Sequence, residues 1–97
     1  MKMQTLRINL ETLKMTESEN IDQFMTRVMG IVNQIRLNGE AIPNQRNVEK
    51  VLISLPNKFE MVVIAILESK DLSNFSSDEL MGSLLSHETR LHLEMIQ

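Results

Sequence analysis

Apolar residues recur at steps of three and four at Met3, Leu6, Leu10 and Leu13, with Arg7, Glu11 and Lys14 falling between them. That spacing predicts an amphipathic helix from Met3 to Leu13. Polar turn formers from Thr16 to Asn20 interrupt it, and Asn20 with Gln23 three residues later makes a capping-box start for a second helix. The second helix carries Ile21, Phe24, Met25, Val28, Met29, Ile31, Val32 and Ile35, too many apolar positions for one narrow stripe. It should pack on two sides and end near Leu37, where Asn38-Gly39 offers the left-handed backbone that closes helices. A third helix is expected over Gln45 to Ser54, with Asn44 as its cap and Val48, Val51, Leu52 and Leu55 on one face.

Pro56 stops that helix and suits an early position of a fourth, where a missing amide costs nothing. The run Met61-Val-Val-Ile-Ala-Ile-Leu67 is rich in strand formers, but its polar flanks, Asn57 to Glu60 and Glu68 to Lys70, extend it to helical length. No second strand candidate exists to pair with it, so a helix is expected. After a loop over Asp71 to Phe75, Ser76 and Glu79 form a second capping box. The fifth helix then places Leu80, Leu84, His87 and Leu91 on one face with Met81 and Leu85 beside them, while Arg90, Glu94 and Gln97 point away. The expected fold class is all-α, a five-helix bundle.

The length of 97 residues accommodates one modest core, hence one domain. Such a chain buries only about 60–70% of its unfolded surface, so a partner's surface adds usefully to its stability. Ten Lys and Arg are scattered among thirteen acids, the net charge is −3, and Phe24, Phe59 and Phe75 are the only aromatics. Phosphate binding needs clustered cations and base stacking needs exposed aromatic rings, so no nucleic acid is expected on this segment. The absence of cysteine removes disulfides, thiol nucleophiles and Cys-ligated zinc. The apolar run at Met61 to Leu67 is too short to span a bilayer and no signal-peptide core precedes it, so a cytoplasmic setting without membrane attachment is expected.

The candidate chemistry fails on spacing. His87 and His92 lie five apart, which turns them about 140° from each other on a helix, whereas a zinc-protease pair needs four. Gly30, Gly39 and Gly82 are isolated, so no phosphate loop or nucleophile elbow exists. Asp71, Asp78 and Glu79 gather near a helix start, where the dipole favours carboxylates without any acid–base role. Asn74-Phe75-Ser76 matches a glycosylation triplet, although Ser76 is better used as a cap. No catalytic, cofactor-binding, small-molecule or metal site is expected, and the chain is read as no enzyme.

A set of segments carries a family resemblance: Leu13-Lys-Met15, Ile31-Val-Asn-Gln-Ile35, Asn38-Gly-Glu40, Val48-Glu-Lys-Val-Leu52, Ser54-Leu-Pro56 with Lys58-Phe59, and Glu68-Ser-Lys-Asp-Leu-Ser73. With Asp78-Glu-Leu-Met-Gly-Ser-Leu84, His87-Glu88 and Arg90-Leu91 in the same order, nearly the whole chain resembles the capsid-like region of plant copia-type retrotransposon Gag. The resemblance implies a segment that self-assembles into a virus-like shell, its partner being another copy as a homodimer or higher assembly. A host-adopted descendant, serving as a helical adaptor for another protein, is the alternative it leaves open. Glu19, Ile21, Phe24 and Arg27 also resemble the major homology region of retroviral capsid C-terminal domains, without the upstream Gln-Gly of that pattern. That second resemblance implies that Glu19 and Arg27 tie the incoming segment onto its helix while Phe24 enters the core. It also implies a leading helix over residues 1–15 and a core bundle over 20–97, with the leading helix packed on its own bundle or on a neighbouring molecule.

Methionine serves cores and adaptable surfaces alike. Met25, Met61 and Met81 are expected in the core. Met29 and Ile53 lie off the main stripes of their helices and Ile64 opposite Phe59 and Val63, so these three are the interface candidates, with ordinary burial as the alternative.

Overall fold

The computed structural model describes residues 2–69 and 71–96, with side chains from Gln4 onward. The expectations at the Met3 side chain, Lys70 and Gln97 lie outside the described residues. Five α-helices follow one another: α1 (Lys2–Glu11), α2 (Ile21–Leu37), α3 (Asn44–Ile53), α4 (Glu60–Ser69) and α5 (Ser77–Ile96). A 3₁₀ turn, Asn57–Phe59, leads into α4, and among the described residues there is no strand. The fold is all-α.

Local chemistry sets most boundaries. The Asn20 side chain accepts from the Gln23 amide at 2.8 Å while the Gln23 side chain accepts from the Asn20 amide at 3.0 Å, so the capping box that opens α2 is complete. Ser76 and Glu79 make the same reciprocal pair at α5, at 3.0 and 3.2 Å. At the end of α2 the Gly39 amide donates to the Arg36 carbonyl and the Glu40 amide to the Ile35 carbonyl. This is a Schellman closure, and it holds Gly39 at φ +90°, where a Cβ is strained. Replacing Gly39 with alanine is therefore expected to cost about 1–2 kcal/mol, read as a lower thermal midpoint; an unchanged midpoint would contradict the closure.

Three boundaries differ from the sequence reading. α1 stops at Glu11 rather than Leu13, because the Leu13 amide turns back to the Leu10 carbonyl and Leu13 then packs as irregular chain. Asn44 is not the cap of α3: Pro43 occupies that position without a side-chain bond, and Asn44 is the first helical residue. Its amide reaches across to donate to the Phe75 carbonyl at 2.7 Å and accepts from the Ser77 hydroxyl, joining α3 to the start of α5. Pro56 sits in extended backbone before the 3₁₀ turn rather than inside the fourth helix.

One buried cluster runs through all five helices. It takes Leu6 and Leu10 from α1, Phe24, Val28, Val32 and Ile35 from α2, Val48 and Val51 from α3, Ile66 from α4, and Leu80 and Leu84 from α5. Leu13 and Met15 of the α1–α2 link belong to the same cluster, and the Met15 amide donates to the Ser54 carbonyl at 3.0 Å. The leading helix thus packs on its own bundle. The extents are 49 × 30 × 18 Å, and the radius of gyration, 14.0 Å, exceeds the about 13 Å of a compact chain of this length. The shortest extent, 18 Å, makes the fold thin.

Candidate association surfaces

The α1–α2 link is fastened by one arginine. Arg27, two turns into α2, donates from Nε to Glu19 Oε2 and from Nη2 to Glu19 Oε1, both at 2.9 Å. Its Nη2 also donates to the Lys14 carbonyl at 2.6 Å, and the Thr16 amide donates to Glu19 Oε1 at 2.8 Å. The guanidinium lies 5.6 Å from the centroid of the Phe24 ring, which is wholly buried beneath it. The structure thus brings Glu19, Phe24 and Arg27 together at the corner where the link meets α2. The Arg27 hydrogen bonds, with that of the Thr16 amide second, hold the Glu19 carboxyl down at about 2, and Glu19 in turn raises Arg27. Bidentate charge-assisted pairing of this kind adds direction to strength.

Further ties hold α1 down. Lys50 of α3 donates to Glu11 at 2.6 Å and Arg7 pairs with Glu40. The Arg7–Glu40 pair is open to solvent, whereas Lys50 is mostly covered and meets an exposed Glu11. Glu88 of α5 accepts from the Ile21 amide at 2.8 Å, capping α2 from 67 positions away in sequence. Nothing local marks Glu88 for this task, and the sequence reading missed it. His87 is half-buried, its ring 5.6 Å from that of Phe59 and its Nε2 2.9 Å from the Lys58 carbonyl, while His92 is exposed. Among the described residues no group of three or more His, Cys, Asp or Glu side chains is placed to hold a metal ion.

Exposed large apolar side chains stand at Ile8 of α1, Leu37 of α2 and Leu93, Met95 and Ile96 of α5, and four more belong to α3 and α4. Helix α4 buries Ile66 and half-buries Val62 and Val63, leaving Met61 75%, Ile64 42% and Leu67 53% exposed. Ile53, at the end of α3, is 73% exposed and lines with Leu52 an open groove of about 640 Å³ along α3, which α4 borders through Leu67. Two of the sequence candidates, Ile53 and Ile64, are therefore exposed, and Leu67, three residues beyond Ile64, borders the groove with Ile53. The third, Met29, is half-buried on α2 in a separate shallow groove with Met25 and Met81. Met61 corrects the core expectation: α4 is apolar on every side, so periodicity gives it no inward direction, and the thin fold covers one side only. Met25 is buried and Met81 half-buried.

A family model, gag-polypeptide of LTR copia-type, matches residues 1–96. The chain belongs to that family. No curated protein and no solved structure matches it. For a copia-type Gag polypeptide the five helices and the apolar α3–α4 surface are the features to be explained, since the family is structural rather than catalytic. Among the described residues of this Gag segment no helix is long and apolar enough to cross a membrane.

Proposed function

We propose that this Gag segment is a structural self-association module contributing to assembly of a capsid, or virus-like particle, in the cytoplasm. The observation that carries the reading is the apolar surface left in solvent, with Ile53, Met61, Ile64 and Leu67 on α3 and α4 and further exposed residues at Ile8, Leu37, Leu93, Met95 and Ile96. Large apolar side chains grouped on one face mark association surfaces more often than isolated ones do. Membership of the copia-type Gag family supplies the biological context. The Glu19–Arg27 tie above a buried Phe24 supports treating α2–α5 as a unit like a capsid C-terminal domain, with α1 folded back upon it. Scattered charge and an acidic balance support a role in protein–protein contact, with no RNA, membrane or small-molecule partner for this segment and no catalysis.

Particle formation by the full Gag polypeptide tests the reading. Ile64→Asp, at a solvent-facing position, is expected to abolish particles seen by electron microscopy while the isolated segment keeps its helical circular dichroism and a stability within about 0.5 kcal/mol of the parent. Particles of normal number and shape from the variant would contradict it.

A further inference from the structure

Resting on the self-association reading, we infer that Met61 is a modification site through which peroxide weakens that association: its exposed thioether takes up an oxygen and places a polar sulfoxide on the solvent face of α4. The fold divides the methionines by position. Met15 and Met25 belong to the core, 6% and 5% exposed, and Met29 and Met81 are half-buried. Met61 and Met95 stand 75% and 84% exposed. A hydroperoxide has to reach the sulfur to react, so these two are open to it while the core thioethers are shielded.

The reaction balances without a protein base. The sulfur gives an electron pair to one peroxide oxygen, the O–O bond breaks, and the second oxygen leaves as water or an alcohol with the proton of the first. The thioether is oxidised by two electrons and the peroxide reduced by two. A methionine sulfoxide reductase reverses the step with two electrons from a dithiol and releases the oxygen as water. Position decides what the new oxygen does. Helical side chains lean toward the preceding turn, so Ile64 and Ala65, both exposed, adjoin Met61 on α4. A sulfoxide there stands among apolar groups, and any surface that covers them buries a polar oxygen. In the free chain the same oxygen is solvated, which leaves the fold intact. Met95 differs in its surroundings: it follows the exposed His92 by three residues, and Lys58, Glu88 and Glu94 line the same shallow groove. A sulfoxide at Met95 therefore joins a polar neighbourhood.

Hydrogen peroxide treatment of the 97-residue chain, read by peptide mass mapping, circular dichroism and sedimentation equilibrium, tests this. Met61 and Met95 are expected to gain oxygen before Met15 and Met25, with helical circular dichroism unchanged. Association of the oxidised chain is expected to weaken at least about fivefold. Met61→Leu keeps an apolar side chain of similar size, so it should associate like the parent and stay insensitive to peroxide. Met61→Gln should match the oxidised parent without treatment, and Met95→Leu should remain as sensitive as the parent. Sensitivity that follows Met95 instead, or oxidised and Met61→Gln chains that associate as tightly as the untreated parent, would overturn the inference while leaving self-association standing. Oxidation of Met15 and Met25 in step with Met61, with loss of helix, would also overturn it. A parent chain that is monomeric at every concentration would remove the self-association reading, and this inference with it.

Discussion

Replacing Phe24 with alanine is expected to cost about 3–5 kcal/mol and to lower the thermal midpoint by roughly 15–30 °C. Phe24 has no solvent exposure, projects from the first turn of α2 into the cluster shared by all five helices, and carries the Arg27 guanidinium on its outer side. Truncation removes the largest transfer contribution available at that corner and leaves a cavity that stiff neighbours such as Val28 cannot fill. Against a total stability of about 5–15 kcal/mol, a loss of this size leaves a chain of 97 residues near its unfolding transition at 37 °C. Thermal circular dichroism at 222 nm reads the effect. A midpoint within about 5 °C of the parent would show that the site collapses freely and that Phe24 is no keystone.

The second large effect is expected in acid. The Glu19 carboxyl is held at about 2 in the folded chain, by Arg27 first and the Thr16 amide second, against an ordinary value of about 4.3 when unfolded. A depressed carboxylate stabilises fully above its unfolded value and loses that contribution as pH falls toward the folded one. The Glu19 contribution is therefore complete above about pH 5 and fades between about pH 4.3 and pH 2. Urea unfolding of the parent and of Glu19→Gln should show the two differing most at neutral pH and converging in acid. Arg27→Ala should cost about 1–3 kcal/mol at pH 7, since it also strips the Lys14 carbonyl of its partner. A double-mutant cycle should return a coupling of about 1 kcal/mol between Glu19 and Arg27. Parallel pH profiles together with zero coupling would contradict the tie.

The residues legible in sequence are those whose partners lie close by in the chain. Asn20 with Gln23 and Ser76 with Glu79 are reciprocal pairs three residues apart, and Asn38-Gly39 closes α2 through carbonyls of its own last turn. Asn44 looked like a cap by the same logic, yet its side chain is taken by Phe75 and Ser77 more than 30 positions away. Glu88 capping α2 and Arg27 gripping the Lys14 carbonyl are likewise products of packing, invisible until the helices are placed. Met61 shows the complementary failure. A helix apolar all round carries no signal for which side faces inward, and only the thinness of the assembled fold decides it. The family was legible because its segments recur in order along nearly the whole chain, and the family model covers residues 1–96. Met29 and Ile53 lie off their helices' stripes and Ile64 opposite Phe59 and Val63; Ile53 and Ile64 stand exposed and Met29 is half-buried, whereas Leu67, which borders the groove beside Ile53, gives no separate signal.

Self-association is the central claim, and sedimentation equilibrium of the unmodified chain from about 1 µM to about 1 mM addresses it most directly. The account predicts a weight-average mass that rises with concentration from 11.2 kDa toward twice that value or beyond. A mass of 11.2 kDa at every concentration would contradict it.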